Sequence, residues 1–145
     1  MVTTTAARRD RNATRSRLRH ALILIIAIVV AVTVNSVVAL IAVATGAPAN
    51  YGPLTFPAYT LLTTLGIVVG WVGWSLVRRR ARDPRRTLSM LVPIVTVASF
   101  IPDILLLVFH FIPGTTVSAV IGLMVMHVVV VAVAVPAYVW ASKRM

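Results

Sequence analysis

Long apolar runs alternate with short polar segments along the whole chain of 145 residues. Four of the runs reach the length of about 20 residues that an α-helix needs to cross a hydrocarbon core of about 30 Å. They predict helices at about 21–43, 58–77, 87–112 and 116–141. The pattern therefore predicts an all-α fold, in which residues 20–145 form a four-helix transmembrane bundle.

Helix-breaking residues mark the connections between the runs and also lie inside the third one. Residues 45–57 are rich in glycine and proline and contain no Lys or Arg, which predicts an outer loop. Pro113 and Gly114 predict a tight turn on the same side of the membrane. Pro93 and Pro102 lie inside the third helix, where a proline removes one backbone N–H, so bends are expected near both.

Residues 1–19 are polar and basic and show no apolar periodicity, which predicts a disordered cytoplasmic tail. A basic start followed by an apolar run also resembles a secretory signal peptide, and Ala42, Val43 and Ala44 resemble a cleavage site. The first apolar run is much longer than the apolar region of about 7–15 residues in such a signal. We therefore predict an uncleaved membrane anchor.

The composition excludes an ordinary soluble domain, because 59% of the residues are hydrophobic, only 12% are charged and the mean hydropathy is +0.97. The 14 Lys and Arg residues fall into three clusters, at residues 8–19, 78–86 and 143–144. With four spans, all three clusters lie on one side, as expected if basic flanks stay in the cytoplasm. Almost all of these residues are arginine, which together with abundant Ala and Val suggests a bacterial protein. With the charge pattern, this predicts a location in the bacterial plasma membrane with both termini in the cytoplasm.

The net charge of +11 could also indicate a nucleic-acid partner. No soluble domain is present to shape a binding groove, so anionic lipid headgroups are the better prediction for the clusters from Arg8 to Arg19 and from Arg78 to Arg86. The chain contains no cysteine, which excludes disulfides and thiolate chemistry. No cofactor or metal is predicted.

The candidate chemistry lies between residues 99 and 127. Asp103 is the only acidic residue inside an apolar run, and ionisable groups at that depth are functional candidates. At a rise of about 1.5 Å per residue, Asp103 lies roughly 15 Å and His127 roughly 20 Å from the outer turn, so adjacent helices could bring them together. Asn35 falls in the same layer, and Ser99 lies one helical turn from Asp103. We predict a polar cluster of these four residues.

Three roles for the cluster stay open. It could fix the register of two helices, bind a proton or a cationic solute, or hold a metal or haem. A haem with two histidine ligands is disfavoured because His110 and His127 differ by roughly 15 Å in depth. Zinc prefers more protein ligands at close range than Asp103 and His127 provide.

Gly66, Gly70 and Gly73 lie on one strip of the second helix, where small residues permit close helix packing. We predict that this strip packs within the chain, with a seam between two copies of the protein as the alternative.

The segment SFIPDILLLV, followed by a turn and GLMVMHVVV, resembles a family of small four-span membrane proteins of actinobacteria that is classed as a domain of unknown function. The resemblance covers roughly residues 22–140, and Pro102-Asp103 and Met126-His127 are its most specific part. It implies the architecture and a membrane location but no activity.

Two functional hypotheses follow. The first is a non-enzymatic membrane component that acts through helix and lipid contacts. The second is a small proton-coupled or solute-binding transporter that uses Asp103 as its titrating group.

Overall fold

The computed structural model describes residues 3–142, with side chains at Thr14 and from Ser16 onward. Its helices are α1 (Thr3–Ala44), α2 (Phe56–Arg80), α3 (Pro84–Ala98), α4 (Phe100–Phe109) and α5 (Val117–Ser142), with a short 3-10 turn at Gly52–Leu54. Within residues 3–142 there is no strand, and four segments are long and apolar enough to span a membrane: Ser16–Ala44, Phe56–Arg80, Pro84–Phe109 and Val117–Ser142. The predicted all-α architecture with four apolar spans is confirmed.

Large apolar side chains face outward from every span. Leu40 is 70% exposed, Leu61 68% and Val97 65%, whereas much of the interior consists of small residues such as Ala31 and Ala119. An outer surface of this kind is unstable in water and is typical of helices whose solvent is hydrocarbon.

The arginines of the described chain gather at one end of the bundle. His20 Nε2 lies 3.1 Å from the carbonyl oxygen of Ala141, and Trp74 Nε1 donates to Ser142 Oγ at 3.1 Å. These contacts bring the start of the first span and the loop after α2 to the end of α5. Arg17, Arg19 and the arginines of residues 78–86 therefore share one end, while Lys143 and Arg144 lie outside the described residues.

At the opposite end, the loop between α1 and α2 packs against the start of α5. Tyr51, in the loop after α1, is 1% exposed and its hydroxyl lies 3.2 Å from Thr115 Oγ1. Ser118 Oγ donates to the carbonyl oxygen of Thr45 at 2.8 Å. The loop can fold back because Gly46 takes a φ of +112°, which a residue with a Cβ adopts only with strain.

The glycine strip of α2 packs partly within the chain. A Cβ on Gly70 would lie 2.6 Å from the hydroxyl oxygen of Tyr138 of α5, and one on Gly66 would lie 3.8 Å from Val130 Cγ1. A Cβ on Gly73 would meet nothing within 4 Å. Gly66 and Gly70 therefore make contacts inside one chain, and Gly73 does not. A seam between two copies of the protein at this strip stays the untested alternative.

A close approach between α1 and α5 occurs at Gly122, a glycine that was not among the predicted packing residues. A Cβ on Gly122 of α5 would lie 2.9 Å from Ala42 Cβ of α1. Because both positions carry almost no side chain, the two helices meet nearly backbone to backbone, and α1 and α5 form the centre of the bundle.

Helix α1 extends further toward the N-terminus than the span predicted at about 21–43. The helix begins at Thr3, so residues 3–19 are helical where we expected a disordered tail. Arg and Ala have high helix propensity, and a segment that extends an existing helix avoids the cost of nucleation.

The third span also differs from the single helix predicted at about 87–112. It begins at Pro84, where the Asp83 carboxylate accepts from the Arg86 backbone N–H at 3.2 Å, and it is interrupted at Ser99. The interruption follows Ala98, whose carbonyl has no helical hydrogen-bond donor because Pro102 lacks a backbone N–H. The helix continues through Pro93. It ends at Phe109 because His110 adopts a left-handed cap with a φ of +51°.

Candidate functional site

The predicted acid–imidazole contact is present between α4 and α5. Asp103 on α4 is 4% exposed, and its Oδ2 lies 3.2 Å from Nδ1 of His127 on α5. The His127 side chain is 41% exposed, against 6% for that of Asp103. The histidine therefore lies between a sheltered carboxylate and the space beside the helices. We refer to these two residues as the Asp103–His127 pair.

Hydrogen bonding identifies the protonated nitrogen of His127. Its Nδ1 lies 2.9 Å from the carbonyl oxygen of Leu123, one turn earlier on α5, as well as close to Asp103. Both oxygens are acceptors, so Nδ1 carries the hydrogen and is shared between them. In neutral His127 the other ring nitrogen, Nε2, is consequently an acceptor. Asp103 Oδ2 makes no well-aligned hydrogen bond among the described residues.

Asn35 lies in the same layer, and its hydrogen-bond partner belongs to α2. It is fully buried on α1, and its Nδ2 donates to Thr63 Oγ1 of α2 at 2.9 Å. With the amide in that orientation, Asn35 Oδ1 has no partner in the described part of the chain. In the described part of the chain Asn35 is therefore bonded to α2 and not to the Asp103–His127 pair, because depth alone does not give the rotation of α1 about its axis. Its place in the polar cluster stays a prediction.

Ser99 is also satisfied elsewhere. Its hydroxyl donates to the carbonyl oxygen of Thr96 at 2.6 Å, at the interruption between α3 and α4. A serine often bonds to a carbonyl one turn earlier in this way, and here the bond keeps the hydroxyl away from Asp103. The place of Ser99 in the polar cluster stays a prediction.

A cavity of about 440 Å³ connects three of the four predicted residues. It lies between α2, α3 and α5, and we call it the central cavity. Its polar lining consists of Asn35, Tyr59, Thr63, Thr96, Ser99 and His127, and its apolar lining includes Leu62, Leu65, Val95, Leu123, Met126 and Val130. Leu65 is 55% exposed and Val95 57%, so the cavity opens sideways between α2 and α3, where acyl chains would lie.

Sequence reasoning missed three polar contributors to this cavity, Tyr59, Thr63 and Thr96. Tyr59 and Thr63, both on α2, bond to Ser36 and Asn35 of α1, with Tyr59 Oη 2.9 Å from Ser36 Oγ. Ser36 Oγ already donates to the carbonyl oxygen of Val32, so the tyrosine hydroxyl is the donor to it. The available signal was the presence of polar residues at matching depths in α1 and α2.

His110 stays outside the site. It is exposed at the end of α4, where its backbone forms the helix cap, as expected for a histidine near the outer surface. Among the described residues there is no group of three His, Cys, Asp or Glu side chains that could hold a metal ion.

The fold and the site define a class: an all-helical chain with four spans of membrane length, in which a buried carboxylate contacts a half-exposed histidine beside a lateral cavity. Residues 12–144 match the family of unknown function DUF6069, and the chain belongs to that family. Comparison with curated proteins and with solved structures found no match.

Proposed function

We propose that this protein is a non-enzymatic, multi-pass membrane protein that binds a small amphiphilic amine in its central cavity, with the Asp103–His127 pair as the proton-exchanging group. The observation that carries this proposal is the position of His127, which contacts the buried carboxylate and also lines the cavity. A purely structural pair would require no cavity beside it. The cavity therefore favours the solute-binding hypothesis over one based on helix and lipid contacts alone.

The polar groups at the cavity call for a ligand that donates hydrogen bonds. Neutral His127 offers Nε2 as an acceptor at the cavity wall, Asn35 also lines the cavity, and the buried Asp103 carboxylate lies behind His127, 3.2 Å from its Nδ1. No Lys or Arg is among the described residues that line the cavity. An ammonium group in the cavity would donate to His127 Nε2 and would be attracted by the nearby Asp103 carboxylate. The volume and the mostly apolar lining are typical of small-molecule sites.

Protonation would convert the site from accepting to donating. A proton on His127 places hydrogens on both ring nitrogens and replaces an acceptor with a cation. The bound ammonium would then face a like charge, so uptake of the proton and binding of the amine exclude each other. This competition is the elementary requirement for coupling a solute to a proton.

Wild-type protein in neutral detergent is expected to enhance the fluorescence of dansylcadaverine, an apolar fluorophore carrying a primary alkylamine, in a saturable manner. Binding should weaken when the pH falls from about 8 to about 5, the range in which histidine takes up its proton. Asp103→Asn should weaken binding more than about tenfold, because the amide keeps the shape and removes the negative charge. The measurement is a fluorescence titration at several pH values.

Ser99→Ala is the matched control, because Ser99 lines the same cavity while its hydroxyl is occupied by Thr96. It should bind the probe as the wild type does. Equal affinity of Asp103→Asn and wild type, or pH-independent binding, would show that the cavity holds only apolar material and that the pair has a structural role.

We also propose that the arginine-rich end faces the cytoplasm of a bacterial cell, with both termini inside, in agreement with the rule that basic flanks stay in the cytoplasm. The chain has no cysteine, so single introduced cysteines report on topology without background. In intact cells, a membrane-impermeant maleimide should label Asn50→Cys and should label Arg80→Cys only after permeabilisation. Both residues are exposed, and the opposite labelling pattern would reverse the orientation.

A further inference from the structure

A second cavity lies at the arginine-rich end, between the end of α2, the start of α3 and the end of α5. Its volume is about 960 Å³, and it shares no lining residue with the central cavity. We call it the arginine groove. Arg78, Arg82 and Arg85 line it at the loop between α2 and α3.

The arginines of the groove are not neutralised by the chain. Asp83 is the acidic residue in the lining, and its Oδ1 accepts from the backbone N–H of Arg86 as the cap of α3. Arg78, Arg82 and Arg85 form no salt bridge within the described residues, where the Asp103–His127 contact is the one ion pair recorded. Three guanidinium groups around an open groove are complementary to a phosphate, which arginine binds through paired N–H donors.

Apart from Ser89 and Ser142, the rest of the lining is mostly apolar and runs away from the arginines into the spans. Leu88 and Val92 of α3 face Val135 and Val139 of α5 across the groove. Trp74, near the end of α2, lies beside them, where an aromatic residue meets the headgroup level of a bilayer. The groove therefore has a cationic end at the membrane surface and an apolar wall at acyl-chain depth.

We propose that the arginine groove is a binding site for a single anionic phospholipid, with its phosphate against Arg82 and Arg85 and an acyl chain between α3 and α5. A free phosphate would leave the apolar wall unused, and a neutral lipid would leave the guanidinium groups uncompensated. The site differs from general attraction of the basic clusters to the membrane, because it depends on particular arginines and on the wall beside them.

Native mass spectrometry of the protein released from detergent micelles tests the proposal. Wild type should retain one phosphatidylglycerol per chain and much less phosphatidylcholine with the same acyl chains. Arg82→Gln/Arg85→Gln should weaken retention about 30-fold, from about 1 kcal/mol for each arginine near the headgroups. Arg79→Gln/Arg80→Gln removes the same charge from exposed arginines outside the groove and should weaken retention less than about threefold.

A second variant tests the wall and does not change the charge. Val135→Trp fills the groove between α3 and α5 and should abolish retention of phosphatidylglycerol. Circular dichroism and the elution volume check that Val135→Trp and Arg82→Gln/Arg85→Gln fold. Equal losses in the two arginine double variants, equal retention of the two lipids, or displacement of the lipid by inorganic phosphate would overturn the proposal. Amine binding at the central cavity should be unchanged in Arg82→Gln/Arg85→Gln, so the two sites can fail separately.

Discussion

Gly122→Ala is expected to destabilise the protein by about 1–3 kcal/mol, the usual cost of overpacking a closely fitted interface. The added Cβ would lie 2.9 Å from Ala42 Cβ. Ala42 has no flexible side chain that could move aside, so relief requires a shift of the α1 or α5 backbone. These two helices hold the interior together, and a shift between them would also disturb Leu123 and His127 in the following turn.

Denaturant unfolding in mixed micelles measures this effect, and Gly73→Ala is its control. Both changes add one methyl group to a glycine inside a span and raise helix propensity by about 1 kcal/mol. A Cβ on Gly73 meets nothing within 4 Å, so Gly73→Ala should be neutral or stabilising. If Gly122→Ala proved as stable as Gly73→Ala, the close approach of α1 and α5 would not exist in the protein.

Depth along a helix could be predicted from the sequence, and it was sufficient for the central contact. Counting about 1.5 Å per residue from the outer turn placed Asp103 and His127 on nearly the same level, and the structure brings them to 3.2 Å. The four spans and their alternating direction followed from hydropathy and the arginine clusters. These features depend on quantities that are additive along the chain, namely length, polarity and charge.

Rotation about the helix axis could not be predicted in the same way. Asn35 has the expected depth, but it turns toward Thr63 of α2 and leaves His127 to Asp103. Gly122 could not be predicted as a packing residue, because a glycine permits close helix packing only if the facing residue is small, and the sequence does not show that Ala42 faces it. The central cavity was missed for a related reason, since a cavity is the absence of packing between elements and has no sequence pattern of its own.

His127→Ala should be the most destabilising change at the site, by about 3–5 kcal/mol at neutral pH, while Asp103→Val should cost far less. The difference arises from exposure. Asp103 is 6% exposed in its side chain and cannot exchange its lost partner for water, so its charge stays buried and unpaired. His127 is 41% exposed, can remain neutral, and keeps its bond to the Leu123 carbonyl when the carboxylate is removed.

A double-mutant cycle with Asp103→Val, His127→Leu and their combination separates a structural pair from a functional one. Replacing a buried ion pair by apolar residues is often neutral or stabilising, so the double variant should unfold at nearly the wild-type denaturant concentration. Unfolding curves and dansylcadaverine titrations of the same samples provide both readouts.

A double variant that is stable and still binds the amine with wild-type affinity and pH dependence would remove Asp103 and His127 from the binding mechanism. A stable double variant without amine binding would establish that the membrane-buried charge is kept for its chemistry, since stability alone would not require it.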